Sequence, residues 1–299
     1  MKKSNFLVRT LVGVAYVLVI IFSLLLGSIS YFILFLLLSQ VTLIEFYLII
    51  KKKRELRPQI YLASIISFLA FGLSFLNAIG YISATLVFIV APLVMVIFIN
   101  EVLFFTKRSL SNIAYTILGL VYVTIPFILL NYIVFQGGSD NSGIAYFSYL
   151  NDDNLLSLTP SSDTMYHPEY LLSIFVLIWI FDTFSYLWGV TTGKHLLIHK
   201  VSPKKTWEGF WGGMLSTFLV AFIISKWLTF FSAGQWLVLA FIVVFFGLFG
   251  DLTESLLKRS LHIKDSSNFI PGHGGFLDRL DSFLMVIPIY YLFLLLILG

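Results

Sequence analysis

The residues best able to do chemistry crowd between Gly250 and Ser282, in the stretch GDLTESLLKRSLHIKDSSNFIPGHGGFLDRLDS. Asp251, Glu254, Ser255 and Lys258 follow an i, i+3, i+4, i+7 spacing, which gives an otherwise apolar helix one polar face at its end. Asp278, Asp281 and Ser282 repeat the i, i+3, i+4 part of that pattern at the start of the last apolar run. Lys258, Arg259, Lys264 and Arg279 supply cations, and Pro271-Gly272-His273-Gly274-Gly275 makes a tight turn between the two acidic groups. Carboxylates arriving from two helices suit a magnesium-nucleotide site, because Mg²⁺ takes one or two carboxylates and completes its shell with phosphate oxygens and water. Lysine and arginine neutralise charge on a transferring phosphoryl group. Glycines in a turn let backbone N–H groups approach a phosphate closely. A salt-bridge network at a membrane edge would also explain acids and bases together, but not the glycine-rich turn between them. His273 taken alone fits a simple turn hydrogen bond as well as it fits a ligand.

A second group lies upstream. Asp182 interrupts the apolar run Trp179-Ile180-Phe181-Asp182-Thr183-Phe184-Ser185-Tyr186. A carboxylate inside a membrane is costly and marks function by default, the alternative being a structural acceptor between helices. Beyond it come Gly189, Gly193-Lys194 and then Ser202-Pro203-Lys204-Lys205-Thr206-Trp207-Glu208-Gly209. Two lysines beside two hydroxyls at the mouth of a helix form a plausible phosphate contact. The small residues Gly209, Gly212 and Gly213 read as places where two helices approach closely.

The elements that must position these residues are transmembrane helices. The 299 residues are 59% hydrophobic and 11% charged, with 31 phenylalanines and no cysteine. A soluble domain is about 25% charged, and a mean hydropathy of +0.96 is far from that class. The missing cysteines exclude disulfides and thiolate metal sites. Apolar runs long enough to cross a bilayer fall near 10–27, 29–50, 59–77, 81–100, 113–135, 170–189, 210–231, 235–252 and 276–298. Alternation of the kind that marks an outer-membrane barrel is absent. The expected fold is therefore all-α, a polytopic bundle of about nine spans with its N-terminus in the cytoplasm. Lys2, Lys3 and Arg9 before an apolar run resemble a signal peptide, but the run is long and lacks a small-residue cleavage site, so it reads as a retained first helix.

With nine spans and the N-terminus inside, 18 of the 19 basic residues fall on one side, Lys226 being the exception near the outer end of its helix. The segment 136–169 on the other side has no lysine or arginine but carries Asp140, Asp152, Asp153, Asp163 and Glu169. The basic composition is thus explained by topology, without nucleic acid, and any chemistry on the basic loops faces the cytoplasm. The expected organisation is a helical scaffold over 1–135, an extracytoplasmic connector over 136–169 and a catalytic membrane region over 170–299. Within the scaffold, Lys51–Arg57 reads as a topology signal or an anionic-lipid contact.

The run Ser255-x-Leu257-Lys258-Arg259-x4-Lys264-Asp265-x-Ser267-x2-Ile270-Pro271-x-His273-Gly274-Gly275-Phe276-x-Asp278-Arg279-Leu280-Asp281 resembles the signature of phosphatidate cytidylyltransferases, the CDP-diacylglycerol synthases. Asp182, Tyr186, Gly189, Gly193-Lys194 and Ser202 to Gly209 also look like that family. The resemblance is sharp over about 179–283 and departs from the family pattern at His262, where a glycine is expected. It implies the reaction CTP + phosphatidate → CDP-diacylglycerol + pyrophosphate at the cytoplasmic face of the inner membrane. It further implies Mg²⁺ held by Asp251 and Asp278, with K⁺ as a second ion in some members. Lys258, Arg259, Lys264 and Arg279, with Lys204 and Lys205, would then bind phosphate oxygens. Asp182, Ser202, Thr206, Glu208, Asp265, His273 and Asp281 would orient or line the site, and Gly274 and Gly275 would admit the phosphate. The glycine-rich seventh run would serve a homodimer as well as internal packing. Two other classes remain open from the residues: a CTP-dependent polyprenol or dolichol kinase, which releases CDP, and a transporter, for which no internal repeat is visible.

Overall fold

The computed structural model describes residues 3–53, 55–104, 108–137, 164–198, 201–261, 263 and 274–298. The chain is helical almost throughout, because long runs of Leu, Ile, Val and Phe leave backbone polar groups no partners in hydrocarbon except each other. In order, the helices are α1 (Lys3–Leu25), α2 (Ser28–Lys51), α3 (Ile60–Ala78), the short α4 (Ala84–Val87) followed by α5 (Val90–Leu103), α6 (Ser109–Gly119) and α7 (Ile125–Val134). They continue with α8 (Pro168–Thr192), α9 (Trp207–Ile224), α10 (Ala233–Ser260) and α11 (Leu277–Leu298). Among the described residues, eight helical stretches are long and apolar enough to span a membrane, Ala84–Leu103 and Ser109–Val134 each counting as one. α1 contributes a further apolar stretch, Val12–Leu25. The expected helical membrane bundle is the observed fold.

Several departures from the expected elements have local causes. α6 joins α7 through a π-turn at Leu120–Thr124, just ahead of Pro126, whose ring and missing N–H disturb the ladder upstream. Among the described residues, two short antiparallel strand pairs accompany the helices. One pairs β1 (Phe135–Gly137) with β2 (Thr164–Tyr166), at the two ends of the connector read as 136–169, of which 138–163 lie outside the described residues. The other pairs β3 (Leu196–Ile198) with β4 (Ser202–Thr206), so the lysine-bearing loop read from the sequence is a strand.

The chain divides into two compact units. One comprises residues 1–169, 265–277 and 294–299. Its core is apolar and aromatic but threaded by polar pairs, as membrane helices require. Tyr31 donates to Asn131 Oδ1 at 2.9 Å, and Asn131 Nδ2 donates to Ser74 at 2.7 Å. Tyr47 donates to the Thr116 carbonyl at 2.6 Å, a contact possible because Gly119 has no side chain where the Tyr47 ring lies.

The other unit comprises 170–264 and 278–293 and carries most of the candidate chemistry. Its helices meet over glycines. A Cβ on Gly209 would stand 2.7 Å from the Ser185 carbonyl oxygen, and one on Gly212 would strike the Trp188 ring, so α8 and α9 approach backbone to backbone there. α10 and α11 do the same at Gly250, where a Cβ would meet the Asp281 carbonyl and lie 2.7 Å from Ser282 Cα. Ser282 Oγ donates to the Gly247 carbonyl at 3.0 Å and fixes the register of that pair. α10 begins with a capping box in which Ser232 and Gln235 satisfy each other's backbone N–H groups.

Candidate active site

α10 continues to Ser260, beyond the end of its most apolar stretch, and its final turns carry the polar face expected from spacing. Asp251 accepts a hydrogen bond from Ser255 at 3.2 Å on one carboxylate oxygen, and its other oxygen is paired with Lys205 of β4. Both side chains of that pair are about a third exposed, with relative accessibilities of 29% for Lys205 and 32% for Asp251. Asp182 on α8 lies within electrostatic reach of Lys205, Asp251 and Arg279. Asp281 on α11 lies within reach of Asp251, Asp182 and Lys205, and one of its oxygens accepts from the Ser282 N–H at 2.6 Å. The close approach at Gly250 is what brings Asp281 beside Asp251. Carboxylates from three helices therefore lie within electrostatic reach of Lys205, and one of them, Asp251, is paired with it.

A second cluster stands on the same two helices. Lys258 pairs with Glu254 one turn earlier, and its ammonium also lies 3.0 Å from Asp278 Oδ1. Glu254 is almost fully buried beside Asp278, and among the described residues no N–H or O–H donor reaches its Oε1. Burying a carboxylate without partners for both oxygens is costly, so this atom marks a place where a proton donor or a cation would be stabilised. Sequence spacing put Glu254 on the polar face without assigning it to the site. The resemblance implies a metal held by Asp251 and Asp278; in the fold Asp251 is within reach of Asp182 and Asp281, and Asp278 stands beside Lys258 and Glu254.

The remaining residues are placed as follows. Thr206 caps α9, accepting from the Gly209 N–H at 3.1 Å, so the strand that carries Lys204 and Lys205 runs straight into a helix start. Ser202 is half-buried at the start of that strand, and Lys204 is exposed. Glu208 accepts from the backbone N–H groups of Lys194 and His195, each at 3.1 Å, and from His195 Nδ1 at 2.6 Å. Glu208 thus closes the β3–β4 hairpin onto α9, with His195 as a partner that no motif had singled out. Arg259 is exposed and reaches the Val201 carbonyl only at 3.5 Å. Arg279 is likewise exposed. Gly274 has φ +84°, a conformation that favours glycine, and Gly275 is buried. Lys264, Asp265, His273 and His262 lie outside the described residues.

One further residue was not legible as part of the chemistry. Glu45, in the middle of α2 and fully buried, accepts from the N–H groups of Phe276 at 2.7 Å and Leu277 at 3.2 Å. It satisfies the first donors of α11, the helix that goes on to present Asp278 and Asp281. No local pattern announces it, since its partners lie more than two hundred residues away.

The oxygen-only donor set suits Mg²⁺ rather than a softer ion. Among the described residues no group of three or more His, Cys, Asp or Glu forms a ready-made metal cage. Mg²⁺ does not need one, because it keeps several waters and takes phosphate oxygens from its substrate. Asp251, partly exposed and paired with a lysine, fits that requirement, and so does Asp278 beside Glu254.

Comparison with known proteins identifies the family. A sequence profile described as "Cytidylyltransferase family" matches residues 7–297. A phosphatidate cytidylyltransferase of Staphylococcus epidermidis is 42% identical over 129 residues, covering 42% of this chain and 49% of the relative. One of Staphylococcus haemolyticus is 36% identical over 180 residues, 58% of this chain and 68% of the relative. One of Staphylococcus aureus is 41% identical over 129 residues, 42% of this chain and 49% of the relative. The matched stretch thus spans about half the length of the first and third of these relatives.

Proposed function

The chain belongs to the cytidylyltransferase family, and from that premise we propose that it transfers the cytidylyl group of CTP to phosphatidate, giving CDP-diacylglycerol and pyrophosphate. The relatives' names supply the lipid substrate, and the arrangement on α10 and α11 supports it chemically. The observation that carries the reading is the meeting of these helices over Gly250, which gathers acids from two spans with Lys205 and Lys258.

A phosphate oxygen of phosphatidate attacks the α-phosphorus of CTP. The bond between that phosphorus and the oxygen bridging to the β-phosphate breaks, and the electron pair leaves with pyrophosphate. A phosphate monoester is already anionic at neutral pH, so the enzyme need supply no nucleophile of its own. Its work is positioning and charge neutralisation. Lys205 and Lys258, released from their carboxylate partners, are placed to take phosphate oxygens, and Lys204, Arg259 and Arg279 are exposed and able to join them. Asp251 and Asp278 would hold Mg²⁺, which when bound offsets the charge on the phosphates and on the leaving pyrophosphate. Asp182 and Asp281 orient Lys205 by electrostatics. The segregation of basic residues in the sequence favours a cytoplasmic face for this site, on the inner membrane, where CTP is available. The site would open sideways to the bilayer, since the acyl chains stay in hydrocarbon while the headgroup reacts.

The test is a product assay on purified full-length protein in detergent with phosphatidate, CTP and Mg²⁺. Pyrophosphate release that requires phosphatidate and stops with EDTA, together with a CDP-linked lipid, is the expected result. CDP release with a phosphorylated polyprenol would overturn the reading in favour of a kinase.

A further inference from the structure

The connection from α2 to α3 borders an open recess of about 590 Å³ whose described lining residues are Lys51, Leu56, Arg57 and Pro58. Leu56 and Pro58 are buried and give it an apolar wall, while Lys51 and Arg57 are exposed. The backbone behind it is anchored with unusual care for a short connector. Arg57 N–H donates to Asn112 Oδ1 at 2.8 Å, and Gln59 N–H donates to Thr116 Oγ1 at 3.0 Å. The Gln59 side-chain amide donates to the Ile97 carbonyl at 2.9 Å and to Glu101 Oε2 at 3.0 Å. Asn112 Nδ2 donates to Glu101 Oε1 at 3.0 Å, so this buried carboxylate sits at the centre of the network. The loop's acid, Glu55, is engaged elsewhere, 2.5 Å from Arg108 at the surface. Among the described residues, the side chains of Lys51 and Arg57 have no acidic partner.

Two cations are therefore held at one recess, on an anchored backbone, with no acidic side chain among the described residues paired to either. The recess lies at the end of one spanning helix and the start of the next, so it stands at the level of a membrane surface, where phospholipid phosphates lie. An arginine fork and a lysine ammonium are the usual receptors for a phosphate group. We propose that this recess is a binding site for a phosphate group, carried by an anionic phospholipid headgroup. It uses none of the residues assigned to the reaction. It differs from general attraction of a basic loop to anionic lipid, because Lys51 and Arg57 line the recess while Lys52 and Lys53 do not.

The experiment compares the full-length protein with K51Q/R57Q and with K52Q/K53Q, two variants of equal charge change, in phosphatidylcholine nanodiscs. Binding of added phosphatidylglycerol and, separately, of inorganic phosphate is read by native mass spectrometry. Each of the two cations gives a bound phosphate a charge-assisted contact that Lys52 and Lys53, outside the recess, do not make, so K51Q/R57Q should bind about 30-fold more weakly. K52Q/K53Q should stay near wild type. Selective loss of phosphatidylglycerol supports the lipid source, and selective loss of inorganic phosphate supports the same site with a free phosphate ligand. Equal loss in both variants, or none in either, overturns the proposal. Should the double variant fail to fold, as judged by its melting in phosphatidylcholine alone, K51Q and R57Q are measured singly, each with an expected weakening of about 5-fold. No weakening in either single variant then overturns it as well.

Discussion

Replacing Glu45 with alanine should injure a reaction whose other assigned residues lie far along the chain. Glu45 Oε2 receives two backbone donors, Phe276 N–H and Leu277 N–H, in a setting with no solvent to replace it. A hydrogen bond to a charged acceptor contributes about 1.5–3 kcal/mol, and a buried donor left unsatisfied costs about 1–3 kcal/mol. The two donors share one oxygen, so their losses do not simply add, and a destabilisation of about 3 kcal/mol is expected. The functional effect follows from what those donors begin. Asp278 and Asp281 occupy the first turns of α11, and a start that shifts by a fraction of a turn displaces both. A misplacement of about 1 Å can cost about 100-fold in rate, and E45A should lose activity on that scale at temperatures where it remains folded. E45Q keeps an acceptor oxygen of the same reach and should recover part of both losses. The assay pairs melting in detergent with CDP-lipid formation per folded molecule. Wild-type activity per folded molecule in E45A would refute the positioning role, even if the variant melted early.

The other predictions concern the clusters themselves. Asp278→Asn keeps the shape of the side chain but removes its charge beside Lys258; it should abolish pyrophosphate release while melting close to wild type, and turnover near wild type would refute the metal assignment. Gly250→Ala places a methyl against the Asp281 carbonyl and 2.7 Å from Ser282 Cα, both backbone positions that cannot swing away. It should cost about 1–3 kcal/mol by overpacking, measured by denaturation in detergent, and a neutral result would mean that α10 and α11 are free to separate there.

Hydropathy found the membrane helices because it measures the property that makes them helices in lipid, the absence of any other partner for the backbone. It failed at their ends for the same reason. The eighth run stops at 252 by hydropathy, yet α10 goes on to Ser260, since its last turns are held by a Glu254–Lys258 pair and not by apolarity. The β3–β4 hairpin was hidden for another reason. Ser-Pro-Lys-Lys-Thr has little strand propensity, and its pairing is decided by contacts with Leu196 and with the Glu208 clamp on Lys194 and His195.

At the site, the motif marks acids on α10 and α11, and how those acids group is read from the fold. Spacing along one helix says which residues share a face; it does not say which face meets which. Gly250 decides that here, by letting Asp281 come against α10 beside Asp251, and β4 decides the rest by delivering Lys205 between them. The resulting charge balance has a consequence for the chemistry. Among the described residues, Lys205 is paired with Asp251, and Lys258 with Glu254 and Asp278. A nucleotide triphosphate arriving by itself would find those cations engaged, and charges in a partly buried site are poorly screened by salt. The exposed Lys204 and Arg259 would offset only part of the triphosphate's charge. The missing positive charge is what a divalent cation arriving with the triphosphate would bring, which is why removal of Mg²⁺ should prevent CTP binding and not merely slow the chemical step.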